Sequence, residues 1–258
     1  MRSHLIAAGA VVAGIAVAAV VAGRPADAAP PKKDIDPTAA RMVREMADYI
    51  SNLQSFTVRT AVTDEVALKS GQKIEIMSNA EVAVQRPNRL RSTRRGTQAG
   101  LDVWYDGQNL TISCKGSNAY QTVAAAPNLD GVIDQLRDKL DMDAPGADLL
   151  YSKPYDALME QVTSGRFIGV ETIDGVLANH VAFRGDTVDW QLWIKDGPIP
   201  LPLRYVITTK DVRGHPEFAV QMSDWNTEPK FSASTFRFEA PEDFKPAKAV
   251  APQCGTQL

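Results

Sequence analysis

The feature that most constrains this fold is a long alternation of apolar and polar residues between residues 73 and 85. The apolar set is Ile74, Ile76, Ala80, Val82 and Val84, and the polar set is Lys73, Glu75, Asn79, Glu81 and Gln85. Successive side chains of a β-strand point to opposite faces, so this segment predicts a strand with one dry and one wet face. That pattern is typical of an antiparallel sheet that packs on a core on one side only.

Similar alternation recurs along most of the chain. Phe56, Val58 and Val62 predict a strand before residue 73, and Ser70-Gly71 predicts the hairpin turn between the two strands. Further strands are predicted at residues 90–95, 103–105, 110–114, 119–123, 167–173, 177–184, 188–195, 201–208, 218–225 and 236–239. The sequence therefore predicts an α+β fold that is mainly antiparallel β. We expect an unclosed half-barrel of about ten strands with helices against its concave face.

Three helices accompany the predicted strands. Asp36 suits an N-cap and Pro37 suits the first helical position, after which apolar residues recur at helical spacing. The apolar stripe consists of Met42, Val43, Met46, Ile50 and Leu53. Two more helices are predicted over residues 129–140 and 155–162. We expect the stripe of the first helix to pack across the concave face.

The start of the chain has the features of a secretory signal. Arg2 and His4 precede an apolar run from Leu5 to Ala22, and the small-residue triplet 26–28 follows. We therefore expect a signal peptide at 1–28, a linker at 29–36, a folded domain at 37–245 and a flexible tail at 246–258. An uncleaved membrane anchor is the alternative, because the apolar run is about long enough to span a bilayer. After cleavage we expect a soluble, monomeric periplasmic protein.

The two cysteines, Cys114 and Cys254, leave two interpretations open. In an oxidising compartment a disulfide between them is chemically possible. Such a bridge would close a long loop, for which the chain-entropy model gives about 4–5 kcal/mol of stabilisation. The alternative is a buried thiol at 114 and a free thiol on the tail.

Residue groupings that carry catalysis are not found in the sequence. His4 lies in the signal segment, His180 in a predicted strand and His215 in a turn, and none has a partner at metal-ligand spacing. There is no nucleophile elbow, phosphate-binding loop or dinucleotide fingerprint. The formal net charge of −3 argues against a nucleic-acid partner. We expect a protein that is not an enzyme and that uses no cofactor or metal.

Several motifs occur in the order found in the periplasmic lipoprotein carrier and receptor family, LolA and LolB. They are the first helix leading to Leu53-Gln54-Ser55-Phe56, then Arg86-Pro87-Asn88, the Trp104-Tyr105-Asp106-Gly107 hairpin, and Phe236-Arg237-Phe238 before Pro241. These motifs cover residues 38–112 and 232–245. Within that superfamily the chain is most similar to an uncharacterised set of bacterial proteins described as predicted periplasmic. The middle segment, 125–165, departs from the carriers.

The resemblance implies a concave apolar face that accepts a hydrophobic small molecule, a lipid or an acylated protein, with transient contacts in the cell envelope. The ligand-binding candidates are Met46, Ile50, Phe56, Val58, Ile74, Ile76, Val82, Val84, Leu110, Trp190 and Leu192. A packed envelope interaction or scaffold module without a cavity is the alternative, and it predicts the same alternation. Strand parity also places Trp193 on the face opposite Trp190, so we expect Trp193 to be exposed.

Arg86 matches the arginine of the family's R-P-N turn, which holds a helical lid shut through hydrogen bonds to the lid backbone. Carried over, this resemblance implies that Arg86 is a lid latch. The guanidinium suits that role because it is always charged and offers five donors in a fixed fork. The alternative is an ordinary strand-end arginine whose head group lies in water.

Overall fold

The computed structural model describes residues 33–96, 100–140, 142, 145–232 and 234–250. Its α-helices are α1 Pro37–Asn52, α2 Leu129–Leu140 and α3 Pro154–Met159, and a 3-10 helix spans Ala147–Leu150. The first strands are β1 Asp34–Ile35, β2 Ser55–Ala67, β3 Lys73–Gln85, β4 Arg89–Gly96, β5 Leu101–Tyr105, β6 Asn109–Cys114 and β7 Ala119–Ala124. After α3 come β8 Val162–Ile173, β9 Val176–Gly185, β10 Val188–Lys195, β11 Pro202–Thr209, β12 Glu217–Asn226 and β13 Lys245–Pro246.

These strands form one sheet in the order β1-β8-β9-β10-β11-β12-β2-β3-β4-β5-β6-β7-β13. Neighbouring strands are antiparallel except at the two ends, where β1 pairs with β8 and β13 pairs with β7 in parallel. Because the order begins and ends with different strands, the sheet is unclosed. The predicted half-barrel is confirmed, although the described part has thirteen strands rather than about ten. The two strands of the described part without a predicted counterpart are the two-residue edge strands β1 and β13, which carry no alternation.

The long hairpin of β2 and β3 sets the register of the concave face. Its turn contains Gly71, whose φ of 90° lies in the left-handed region that favours glycine. The concave residues of the two strands face each other as Phe56 with Val84, Val58 with Val82, Thr60 with Ala80, and Val62 with Ser78. The alternation in the sequence therefore identifies the concave face correctly.

Helix α1 begins and packs as predicted. The Asp36 carboxylate accepts hydrogen bonds from the backbone N–H of Thr38 at 2.8 Å and of Phe167 at 3.3 Å. These two donors hold the pKa of Asp36 below its ordinary value. Along the helix, Val43 and Met46 are fully buried in the core that α1 shares with the sheet.

Trp193 lies on the outer face of the sheet, as parity predicts, but the expected exposure is wrong. Only 8% of it is exposed, because it belongs to an outer cluster with buried Leu203 and Val206. Its indole stacks on His180 with 4.0 Å between ring centroids, and its Nε1 donates to Glu171 Oε2 at 2.7 Å. The outer face therefore has a small core of its own.

Both ends of the predicted domain extend further than expected. Asp34–Ile35, in the predicted linker, pairs with Ser164–Gly165. In the predicted tail, Pro246 pairs with Tyr120, and Val250 is fully buried. Short edge strands of this kind have too few residues for a detectable alternation. The predicted boundaries at 37 and 245 therefore miss paired residues on each side.

Other predictions fall on the end segments. The signal segment 1–28 and Cys254 lie outside the described residues. Cys114 is buried and disulfide-bonded, so the interpretation of Cys114 as a thiol is wrong.

The predicted strand 236–239 is a turn and loop, although Phe236 is buried. Within the described ranges, the helices are too short or too polar to cross a membrane.

Candidate functional site

An apolar cavity of about 230 Å³ lies between the concave face of the sheet and a roof formed by α2, Met142 and residues 145–150. The floor comes from β2, β3, β4, β5 and β12, and Ile50 of α1 borders it. Apolar floor residues include Phe56, Val58, Val82, Leu90, Val103 and Val220, and apolar roof residues include Ile133, Leu136, Met142, Leu149 and Leu150. The cavity is thus bordered by side chains that favour an apolar occupant.

Small residues explain why this region is not filled. Thr60, Ala80 and Ser92 contribute short side chains to the floor, and Gly146 and Ala147 contribute almost none to the roof. Gly146 adopts φ of 80°, and a Cβ there would lie 3.8 Å from the Phe218 ring. The roof backbone therefore turns close to β12 while leaving space over β3 and β4.

The roof is held together by polar contacts on its solvent side. Asp130 accepts from the Ser152 hydroxyl at 2.6 Å, the Tyr151 hydroxyl donates to Asp134 at 2.6 Å, and Arg137 donates to Asp148 at 2.9 Å. Burial and the bond to Asp134 raise the pKa of Tyr151 to about 12. The Arg137–Asp148 contact joins α2 directly to the 3-10 helix, so the two elements form one unit.

Arg86 lies where the roof meets the sheet. Its Nη1 donates to the Leu150 carbonyl at 2.9 Å, while Nε and Nη2 are buried without a hydrogen-bond partner among the described residues. Burial lowers the pKa of Arg86, and the nearby Asp130 charge opposes that shift. The neighbouring Pro87 carbonyl accepts from the Leu129 N–H at 3.0 Å. The R-P-N turn thus contacts both the start of α2 and the end of the 3-10 helix.

A larger recess of about 500 Å³ on the outer face of β2–β4 is a weaker candidate. Three of its four charged side chains pair with one another, because Arg59 contacts Glu81 at 3.4 Å and Asp224 at 3.2 Å, whereas Arg91 lies over the Trp104 ring at 4.3 Å from its centroid. These three side chains are also largely exposed, so water competes with any ligand there. The apolar cavity is therefore the candidate site.

Most of the side chains that line the cavity are apolar, and a few polar groups lie close together on the floor. Those groups are the hydroxyls of Thr60 and Ser92 and the guanidinium of Arg94. Across the described ranges, no group of three or more His, Cys, Asp or Glu side chains is placed to hold a metal ion. The arrangement is suited to binding by shape and apolar contact.

A family of proteins described as "Predicted periplasmic protein (DUF2092)" matches this chain over residues 39–249. The chain belongs to this family. This match confirms the expected similarity to a set of proteins described as periplasmic, and it confirms the expected periplasmic location. No protein with a curated description matches the chain.

Among solved structures, this DUF2092 protein is similar to the lipoprotein LppX of Mycobacterium tuberculosis, with 16% identity over 76% of this chain and 98% of LppX, at a TM-score of 0.48. It is also similar to an uncharacterised conserved protein of Thermus thermophilus, with 12% identity over 81% and 98% of the chains, at 0.47. A LolA superfamily protein of Nitrosomonas europaea shares 11% identity over 78% and 97%, at 0.42.

The structure of the DUF2092 protein separates the predicted ligand-binding residues into three groups. Ile50, Phe56, Val58 and Val82 line the cavity. The buried residues Met46, Val84, Leu110, Trp190 and Leu192 belong to the core instead, where α1 and neighbouring rings fill the space above the sheet. Ile74 and Ile76 share the concave register but are half-buried and lie outside the cavity.

Sequence reasoning missed the roof and the β12 part of the floor. The missed residues include Ile133, Leu136, Leu149, Leu150, Phe218, Val220, Met222 and Trp225. The helical spacing of α2 and the alternation in β12 were available as signals for some of them. Neither signal says which apolar residues of a protein border empty space, because that depends on the size of the side chains facing them.

Proposed function

We propose that this protein is a non-enzymatic periplasmic carrier or sensor that binds a hydrophobic ligand, such as a lipid or the acyl chain of an acylated protein, in the apolar cavity. The observation that carries the proposal is a space bordered by apolar side chains of both sheet and roof and left unfilled by them. Small-molecule pockets typically measure about 300–1,000 Å³. At about 230 Å³ the cavity suits one slender chain better than a bulky ring system.

We further propose that the roof moves to admit a ligand and that Arg86 is the latch of this roof. In the closed form it makes one hydrogen bond to Leu150 and keeps two donor groups buried without partners among the described residues. Opening would break that bond but would expose the buried donors to water, which offsets part of the loss. A latch of this kind gives a small free-energy difference between closed and open forms, as a carrier needs.

Filling the cavity tests the proposal. Ala80→Leu places a larger side chain in the floor, whereas Ala83→Leu makes the same change on the outer face of the same strand. We expect wild type and Ala83→Leu to bind an apolar fluorescent dye, and Ala80→Leu to lose most of that binding. Equal dye binding by both variants would place the dye elsewhere and overturn the proposal.

The latch is tested by comparing Arg86→Leu with Arg89→Leu. Arg89 is a nearby arginine whose Nη1 donates to the Gln85 side chain at 3.3 Å rather than to the roof. We expect Arg86→Leu to speed dye entry and to reduce retention of bound lipid, with only a modest change in melting temperature. Dye entry that matches Arg89→Leu would make Arg86 a structural arginine.

The competing function is a packed envelope module without a ligand, and it predicts no saturable dye binding by wild type. We further propose that the protein is a monomer whose contacts with envelope partners are transient. Light scattering of the purified mature protein should then give the mass of one chain. A stable dimer would contradict that part of the proposal.

A further inference from the structure

The two ionisable side chains on the concave register of β2, β3 and β4 are paired with each other. Within the strands β2, β3 and β4, the concave positions are the even-numbered residues, and among them Asp64 and Arg94 carry charge. Arg94 Nη2 donates to Asp64 Oδ2 at 2.5 Å, and Arg94 Nε donates to Ser78 Oγ at 2.8 Å. Arg94 also lines the cavity, so this pair lies at one end of the candidate site.

The floor of the cavity changes character along the strands. The row of Phe56, Val84 and Leu90 is wholly apolar, and the next row ends in Ser92. The row after that joins Thr60 to Ala80 and Ala80 to Arg94. The first and third rows are four residues apart along β2, or about 13 Å at the usual strand rise. The floor thus has an apolar end and an opposite end, called here the hydrogen-bonding end, where Thr60 and Arg94 lie beside the apolar side chains of Val62 and Phe218.

The hydrogen-bonding end has no net charge to offer a ligand. An unpaired guanidinium beside an apolar cavity would favour a carboxylate or phosphate. Here the Asp64 carboxylate already occupies that place on Arg94. About a third of each side chain remains exposed, and the Thr60 and Ser92 hydroxyls lie in the same part of the lining. Donors and acceptors are available together, but an arriving anion would meet a like charge.

We propose that the cavity selects amphiphiles whose head group is uncharged and hydrogen-bonding, such as a glycerol ester, and that Asp64 is the residue that disfavours anionic heads. This inference rests on the proposed function, because it assigns the chain of the ligand to the apolar end of the same cavity. An anionic head reaches Arg94 only by displacing Asp64 or by lying beside it, and both cost free energy. An uncharged head can accept from Arg94 and donate to Asp64 without breaking the pair.

Two probes with one acyl chain and different heads test the selectivity: 1-decanoylglycerol and decanoate, each measured by displacement of an apolar dye. The readout is the ratio of the two dissociation constants at neutral pH. Wild type should bind decanoylglycerol the more tightly. Asp64→Asn should shift the ratio toward decanoate about tenfold or more, because it frees a guanidinium for a charge-assisted hydrogen bond. Arg94→Gln should give no such gain for decanoate.

The matched control is Asp102→Asn, which removes the partner of Arg95, the neighbouring arginine on the outer face. Arg95 Nη1 and Asp102 Oδ1 form an ion pair at the same 2.5 Å separation, but neither residue lines the cavity. This variant should keep the wild-type ratio. An unchanged ratio in Asp64→Asn, with both probes still displacing the dye, overturns the inference and leaves the proposed function standing. Failure of wild type to bind dye or either probe overturns both.

Discussion

The two halves of the concave face share one alternation pattern but differ in what covers them. Over β8–β11, the face is filled by α1 and by rings, with Phe183 stacked on Trp190 at 4.3 Å and Tyr205 edge-on to Trp190 at 6.0 Å. Over β2–β5, the roof of α2 and residues 145–150 leaves a cavity. The difference shows that the alternation determines which side chains point inward, whereas the sizes of those side chains determine whether they fill the interior.

The difference also assigns separate tasks to the two halves. The packed half buries large side chains completely and provides stability, since each buried large apolar side chain contributes about 1.5–3 kcal/mol. The hollow half has Thr60, Ala80 and Ser92 on its floor and a roof held by a few polar contacts. We therefore expect substitutions in the packed half to act mainly on stability and those in the hollow half mainly on binding.

The largest effect is expected for Met46→Asp in the packed half. Met46 is fully buried against the sheet, so a carboxylate there must be neutralised or must open the site. Either outcome costs several kcal/mol of folding free energy. Urea denaturation of the mature protein should show a much lower midpoint or no folded state.

Met77→Asp is the control for that experiment, because Met77 is 66% exposed on β3. The same chemical change at a surface position should alter the unfolding free energy by less than about 0.5 kcal/mol. Similar midpoints for Met46→Asp and Met77→Asp would remove α1 from the core and end the distinction between the two halves.

A smaller effect should distinguish two leucines, Leu192 in the packed half and Leu90 on the cavity floor. Leu192→Ala creates a new void among well-packed neighbours, for which losses of about 2–5 kcal/mol are typical. Leu90 already borders empty space, so Leu90→Ala should cost less and should enlarge the cavity. Paired chemical denaturation and dye-binding measurements check both effects. Equal losses of unfolding free energy in the two variants, together with unchanged dye binding by Leu90→Ala, would contradict the presence of a cavity beside Leu90.

The smallest effect concerns the outer face. Hydrogen bonds from Trp193 and, to a smaller extent, from His180 lower the pKa of Glu171. A carboxylate whose folded pKa is lowered adds stability above its ordinary pKa and loses it as the pH falls through the folded value. Trp193→Phe should therefore raise the pKa of Glu171, as an NMR titration of its side-chain carbon would show. Trp225→Phe, which removes a donor to the Pro202 carbonyl instead, should leave that pKa unchanged.

Local sequence patterns predicted most of the fold. The alternation in β3 identified the concave side, Asp36 and Pro37 marked the start of α1, and Gly71 marked a hairpin. The edge strands β1 and β13 could not be predicted, because two residues carry no period. Trp193 was placed on the correct face, but its burial depends on residues from other strands that sequence spacing does not bring together.

The candidate site was less predictable than the fold. Sequence parity placed Trp190 and Val58 on the same concave face, yet one fills the core and the other lines a cavity. The pairing of Asp64 with Arg94 joins residues on β2 and β4 across an intervening strand. Such contacts follow from sheet register, which local periodicity fixes only within a hairpin.

The proposed function is tested most directly by identifying the molecule that the cavity holds. The mature protein should be purified from the periplasm of the expressing cell, alongside Ala80→Leu and Ala83→Leu, and analysed by native mass spectrometry and lipid extraction. We predict a bound lipid or other apolar molecule on wild type and on Ala83→Leu, and its loss from Ala80→Leu. A wild-type protein that carries no lipid and fails to bind added acyl-chain probes would rule out the proposed carrier or sensor function.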